Sequence, residues 1–437
     1  MRAIFFPSDL GGGFGHVARC LALAQSWRAS GHQAIFALGG KHFRNVQEAG
    51  FNAHRLQHTT EPGSGAAAYM LITGLAYQWP RDGYHHSRIV QEAAQEAIDL
   101  CKKYQVDVIV SDYWLLARIV AHACRLPLVQ IVENFSHPQG TPLVWWEAPP
   151  EDVIPPDIRP VANPALKRFG LPPVERAEEM SAGDLLLIPS VPALDPLPEV
   201  PANTHYIGSL YQPATGAAPA EKGLVYISIG GGAQQGLRGF FEIALAAFRD
   251  APFHGVLSTG NQVRPSDLRN IPRNLDVKGW VASGQMLKFC ELAVFHGGTA
   301  TRMEVLANGK PALVIPFHSE QENSGRRLEA AGAARVIPYS EAPWEMQKLK
   351  WAGAPLTLAY RRQPTLTPEV LRQAIEAMLD DENALQNARR LQQELVTAGG
   401  AEKAVRLIVK SVQQFQPPPE SAGSGLKKAL KQLFGKA

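Results

Sequence analysis

The 437-residue sequence is short of the features that mark several protein classes. It has four cysteines, Cys20, Cys101, Cys124 and Cys290, scattered and without a C-x-x-C pair. That spacing suggests neither a zinc site nor a disulfide framework, and a reduced, cytoplasmic setting is expected. No apolar run approaches the ~20 residues needed to span a bilayer. The opening Met1–Pro7 lacks the apolar core of a signal peptide and turns glycine-rich. Lys and Arg exceed Asp and Glu by only three, and no long basic run lies in the body of the chain. Nucleic acid is therefore not an expected partner. No Asp-x-Asp pair stands at a strand end to demand a divalent ion.

What is present is an α/β alternation, twice over. Ala3–Phe6 reads as a strand, followed by Gly11–Gly15 and a helical pattern from His16 through Val17, Cys20, Leu21, Leu23, Ala24 and Trp27. Gln33–Leu38, Val108–Val110 and Leu128–Val132 are further strands, with a helical stretch at Leu115–Cys124. Pro189–Lys222 is rich in proline and glycine and reads as the interdomain connection. The alternation then resumes with strands Leu224–Ile229, Gly255–Ser258, Ala293–Phe295 and Ala312–Ile315, and helices Ala384–Thr397 and Ala401–Gln414. This predicts two Rossmann-like β/α/β domains facing each other across a cleft. The expected boundaries are 1–200, a linker at 201–221, a second domain at 222–390, and helices at 391–416 that pack back on the first domain. A proline-rich link and basic amphipathic tail follow at 417–437, suited to peripheral contact with the inner membrane face or else a frayed, solvated terminus or one docked on the body.

Ligands of such sheets bind beyond the carboxyl ends of the strands. One such end carries His296–Glu304. Glycines at this turn let a backbone approach a ligand, and a helix N-terminus attracts a diphosphate. Thr299 and Thr301 add hydroxyls, and Glu304 stands one turn in. After the next strand, Glu320-Gln321 offers a carboxylate beside an amide, able to hold several sugar hydroxyls or simply to start a solvated helix. In the first half His16 sits at a strand-to-helix turn, and Asp112 ends another strand of the same sheet.

The run Lys278-Gly279-Trp280 through Gln285-Met286-Leu287 to His296-Gly297-Gly298, Glu304, Gly309, Pro311, Pro316 and Glu320-Gln321 resembles the donor signature of UDP-glycosyltransferases of the GT-B fold. These include plant secondary-product and bacterial antibiotic and macrolide transferases. Gly13-Phe14-Gly15-His16 is similar to that family's G-x-G-H segment. The resemblance implies a UDP-linked sugar donor as co-substrate, no cofactor, no metal and an inverting transfer to a small-molecule or lipid acceptor. It implies that His16 is the general base and Asp112 its partner. Trp280, Val281 and Gln285 would lie by the base and ribose, with Glu304 on the ribose. His296, Gly298, Thr299 and Thr301 would hold the diphosphate, Ser228 and Gly230 would line its cleft, and Glu320 and Gln321 would hold the sugar.

The plant pattern has tryptophan and asparagine where this chain has Thr299 and Ala300. Arg19 replaces a common proline, and G-x-G-H-x-x-R also resembles nucleotide-sugar hydrolases of the same fold. Such an arginine can bind a charged acceptor or phosphate, or lie on the surface. Trp79, His85, His86, Phe135, His137, Trp145 and Trp146 are candidate acceptor-wall residues, and the irregular stretch Thr59–Tyr84 reads as an acceptor-shaping loop. A nucleotide-sugar hydrolase or epimerase, or a non-catalytic nucleotide-sugar binder, is the alternative. A dinucleotide oxidoreductase is disfavoured, because His16 occupies the place of the third glycine.

Overall fold

The computed structural model describes residues 1–11, 13–60, 67–145, 147–211, 220–230 and 238–417. Trp146, the tail at 418–437, and Gly12, Gly231 and Gly232 of the glycine runs lie outside them. The first half builds a seven-stranded parallel sheet from β1 (Arg2–Pro7), β2 (Gln33–Leu38), β3 (Asn52–Arg55), β5 (Val108–Asp112), β6 (Leu128–Ile131), β7 (Leu185–Ile188) and β8 (Thr204–Tyr206). A short β4 (Tyr69–Met70) stands apart from it. The order is β3-β2-β1-β5-β6-β7-β8. The second half builds a six-stranded parallel sheet from β9 (Leu224–Ser228), β10 (His254–Ser258), β11 (Leu275–Lys278), β12 (Leu292–Phe295), β13 (Ala312–Val314) and β14 (Ala334–Val336). Its order is β11-β10-β9-β12-β13-β14. Both are doubly wound Rossmann-like sheets, the GT-B arrangement expected from the alternation.

Side chains alternate between faces along each strand, and both faces are buried. Ala3 and Phe5 pack with Val17, Cys20 and Leu23 of the Gly15–Ala29 helix, while Ile4 and Phe6 face the Ser87–Tyr104 helix. In the second sheet Val225 and Ile227 pack with Phe240 and Phe241, and Leu224 and Tyr226 with Met303 and Leu306. Strand runs this apolar are legible because no solvated face interrupts them.

Three expectations change. The connection read at Pro189–Lys222 contains β8, an edge strand of the first sheet. Of the two final helices, Gly400–Gln414 buries Ala401, Ala404, Val405 and Ile408 in the first-half core. Glu382–Thr397 instead places its Ala388, Leu391 and Leu395 in the core of the second half, which Val191 and Leu194 also join. The stretch 59–84 is not simply irregular. Its described part forms β4, which pairs antiparallel with β16 (Ala354–Arg361), itself hairpinned to β15 (Glu345–Trp351). There the Met70 amide donates to the Phe317 carbonyl at 3.0 Å and the Tyr69 hydroxyl donates to Glu322. This segment straps the first half to the second.

Among the described residues no helix is long and apolar enough to cross a membrane.

Candidate active site

In each sheet the strand order reverses at one place, and crossovers leaving in opposite directions open a crevice there. In the first sheet this lies between β1 and β5, in the second between β9 and β12. The segment after β1 carries His16, β5 ends at Asp112, β9 leads to Gly230 and β12 leads to His296. Two helices therefore start in the cleft, Gly15–Ala29 and Thr299–Ala307. Their N-termini abut: a Cβ on Gly15 would stand 3.1 Å from the Ala300 Cβ. The small Ala300, at a position where plant relatives carry asparagine, permits that approach. Two positive helix ends here favour an anion.

His16 Nδ1 lies 2.8 Å from Asp112 Oδ1. Asp112 is fully buried, whereas His16 keeps 24% of its side chain exposed. Burial alone would push the Asp112 carboxyl up; the charges and hydrogen bonds of Arg19 and His16 outweigh it and hold it below the ordinary carboxylate range. An ionised carboxylate only accepts, so a bond to Asp112 needs the imidazole proton on Nδ1 and leaves the Nε2 lone pair for another proton, whereas Arg19 Nη2, a donor 2.8 Å from the same Nδ1, would put it on Nε2. The Tyr113 ring covers the imidazole at 4.8 Å between centroids. Tyr113 adopts a φ of 60°, a left-handed conformation uncommon for a bulky residue.

Arg19 corrects the sequence reading. It is neither on the surface nor open to a charged acceptor, being 2% exposed. Its Nε and Nη2 donate to the two oxygens of Asp112, each at 2.8 Å, and Nη1 donates to Glu133 at 2.8 Å. Glu133, which motif reasoning missed, accepts from the Thr299 hydroxyl at 2.9 Å. The Thr299 hydroxyl is thus engaged with the opposite half of the protein, although its backbone N–H still opens the helix. Arg81 was also missed. It pairs with Asp82 at 2.7 Å and its charge reaches Glu320. Glu133 and Arg81 belong to no motif; only the fold brings them to the cleft.

On the donor side the His296 ring lies between Gly230 and Gly298. A Cβ on Gly230 would come within 2.8 Å of the ring, and one on Gly298 within 2.3 Å. Gly230 also has a φ of 77°, so any side chain there meets both strain and collision. Ser228 closes β9 beside it, and Thr301 stands half-buried in the first turn of its helix. Trp280 is 66% exposed, a free aromatic face, with exposed Gln285 and half-buried Val281 beside it. The Ser283 hydroxyl donates to Glu304, whose carboxyl is pushed up by burial and drawn back by that bond. Glu320 is half-buried, and its carboxyl is pushed up by burial and then by the charge of Glu133. Gln321 is buried, and its side-chain oxygen accepts from the Phe317 amide at 2.9 Å, while its NH₂ can still donate to a sugar.

Burial pushes His296 down to about 4 and, with the nearby charge of Arg81, His318 down to about 3. Both stay neutral in the folded protein while unfolded imidazoles take up protons near pH ~6.5. The unfolded state then binds more protons, so these residues cost stability as pH falls through the window from about 6.5 to about 4. His296→Phe should shrink the drop in melting temperature between pH 7 and pH 5. An unchanged drop would show that His296 is protonated in the folded protein.

The candidate acceptor wall fares unevenly. Trp79 is 0% exposed and belongs to the first-half core. His137 is buried with both ring nitrogens engaged, by the Thr204 hydroxyl and the Gln139 amide, each at 3.0 Å. His85 accepts from the Trp351 indole at 3.0 Å, and with His86 lines an outward groove beside the β15–β16 hairpin. These four are not cleft residues. Phe135 is placed near the imidazole, its ring 6.0 Å from that of Tyr113, and Trp145 is half-buried.

Residues 261–352 match the glycosyltransferase family 28 C-terminal domain. An uncharacterized glycosyltransferase of Methanosarcina mazei is 24% identical over 420 residues, covering 92% of this chain and 96% of that one. Among solved structures, the calicheamicin glycosyltransferase CalG4 superposes with a TM-score of 0.69 at 18% identity, over 95% of this chain and all of that one. The spinosyn rhamnosyltransferase SpnG, solved with thymidine diphosphate, has a TM-score of 0.60 at 18% identity, over 94% of this chain and 100% of its own. The matched domain, the full-length relative and the solved structures agree: this chain has the GT-B fold and is similar to glycosyltransferases.

Proposed function

We propose that the enzyme moves a sugar from a nucleoside-diphosphate donor, UDP- or dTDP-linked, to a hydroxyl of a small natural-product or lipid acceptor by one inverting displacement. The observation that carries this reading is His16. It stands where two helix N-termini meet, with Nδ1 2.8 Å from Asp112 and Nε2 without a hydrogen-bond partner among the described residues. The acceptor hydroxyl gives its proton to Nε2 as its oxygen attacks the anomeric carbon. The bond from that carbon to the diphosphate oxygen breaks on the opposite side. The departing negative charge is met by the Thr299–Ala307 helix end and the Gly298 turn. Asp112 keeps the imidazole oriented. Trp280 offers its face to the base, Glu304 lies where ribose hydroxyls would be, and Glu320 and the Gln321 amide face the sugar. No step calls on a metal or on a cofactor beyond the donor itself. Contact of the basic tail with a membrane surface belongs to the same proposal, on residues outside the described ones.

The test is nucleotide release from UDP- and dTDP-sugars with and without hydroxyl acceptors, with chelator present, followed by mass spectrometry. Release should depend on an acceptor, persist in chelator and give a product heavier by one sugar. Equal release without any acceptor would assign hydrolysis instead, and binding without release a non-catalytic role.

A further inference from the structure

A His–Asp pair works because the carboxylate offsets the charge that the imidazole acquires. Here that carboxylate is already taken. Arg19 holds both oxygens of Asp112 at 2.8 Å, inside the protein. With Arg19 and Asp112 cancelling, protonation of His16 would leave the group positive in a buried setting, which is unfavourable. Glu133 changes the balance. It adds a second negative charge through Arg19 Nη1, so the group starts net negative and becomes neutral as His16 takes the proton. Its other oxygen accepts from Thr299, the first residue of the helix on the opposite wall of the cleft.

Building on the assignment of His16 as base, we infer that Glu133 and Arg19 are positioning residues. Together with Thr299 they tie the alignment of the His16–Asp112 pair to closure of the two halves. The chain Thr299–Glu133–Arg19–Asp112–His16 is continuous, with every link between 2.8 and 2.9 Å. Nη2 of Arg19 also lies 2.8 Å from His16 Nδ1. When Nη2 and Nδ1 both donate to Oδ1, all three atoms are satisfied. If Nδ1 instead accepts from Arg19, it leaves its proton on Nε2, where no base remains. The hold of Asp112 and Glu133 on Arg19 therefore decides which tautomer forms. When the halves part, the Thr299 contact breaks, and Glu133 and Arg19 lose the anchor that fixes this choice. The base is then competent only over a closed donor site, where bulk water has least access to the sugar.

The test uses the whole enzyme and separates kcat from binding of UDP and dTDP, the latter by calorimetry. Glu133→Gln should lower kcat by roughly tenfold to a hundredfold, and Thr299→Val by about threefold to tenfold, with nucleotide affinity unchanged. Thr299→Ser should recover most of the turnover that Thr299→Val loses. In a His16→Ala background Glu133→Gln should change the residual rate little, since the base it serves is gone. Because Glu133→Gln can also unsettle the fold, Thr299→Val carries the decision. Loss of nucleotide affinity with kcat intact would give that hydroxyl to the diphosphate and overturn the coupling. Full turnover in His16→Ala would refute the base assignment itself, a different failure.

Discussion

Replacing His16 with alanine should lower kcat by about a thousandfold, within the usual range for loss of a general base, while the affinity for UDP or dTDP stays within twofold. The donor elements explain the second half of that expectation. Trp280, Glu304 and the Gly298 turn belong to the second domain and do not depend on the imidazole. The first half rests on the lack of a good substitute. Glu320 is the nearest rival, because burial and then the charge of Glu133 push its carboxyl up. Glu320→Gln should nevertheless raise the KM for the sugar donor more than it lowers kcat, as expected of a hydroxyl ligand. Added imidazole should restore part of the turnover of His16→Ala and none of that of Glu320→Gln. If His16→Ala retains its rate while Glu320→Gln loses it, the two roles are reversed. Steady-state rates with saturating acceptor distinguish the cases.

Much of this was legible in the sequence because parallel sheets write themselves plainly. Strands buried on both faces appear as apolar runs such as Ala3–Phe6 and Ala293–Phe295, and the glycines after them mark the turns that meet ligands. The dyad was legible through the likeness to the G-x-G-H segment, with His16 at a strand-to-helix turn and Asp112 at the end of the neighbouring strand. Other elements give no such signal. The hairpin Glu345–Trp351 and Ala354–Arg361 alternates polar and apolar residues over a partly solvated face, and its short partner Tyr69–Met70 lies far away in the chain. Aromatic residues in the first half invited a reading as acceptor wall. Yet Trp79 fills the core and His137 braces β8, uses that composition alone cannot tell from ligand contact. Arg19 was visible as a departure from the family pattern. Its role was not, because Glu133 is remote in sequence and becomes its neighbour only through the order of β1, β5 and β6.

That hidden arginine governs the largest expected loss of stability. Arg19→Met keeps a similar volume but removes the cation that Asp112 and Glu133 share. The two carboxylates then face each other with little solvent, since Asp112 is fully buried and the Glu133 side chain is 11% exposed. Breaking a buried pair in this way costs about 3–5 kcal/mol, more than replacing the whole group by neutral residues. For domains of this size that corresponds to a fall in melting temperature of roughly 10 °C. The sign of the pH dependence identifies the cause. In the variant the repelling carboxyls are raised above their unfolded values, so the folded state binds more protons and stability rises as the pH is lowered toward those values. In the parent protein Asp112 is held low, and stability falls when acid protonates it. Adding Glu133→Gln to Arg19→Met should recover a large part of the loss, because only one buried carboxylate then remains. Thermal melts of the single and double variants at neutral and mildly acidic pH decide the matter. An Arg19→Met protein that melts within about 2 °C of the parent would mean that water enters the cluster and solvates the carboxylates unaided, since intact burial requires the larger loss.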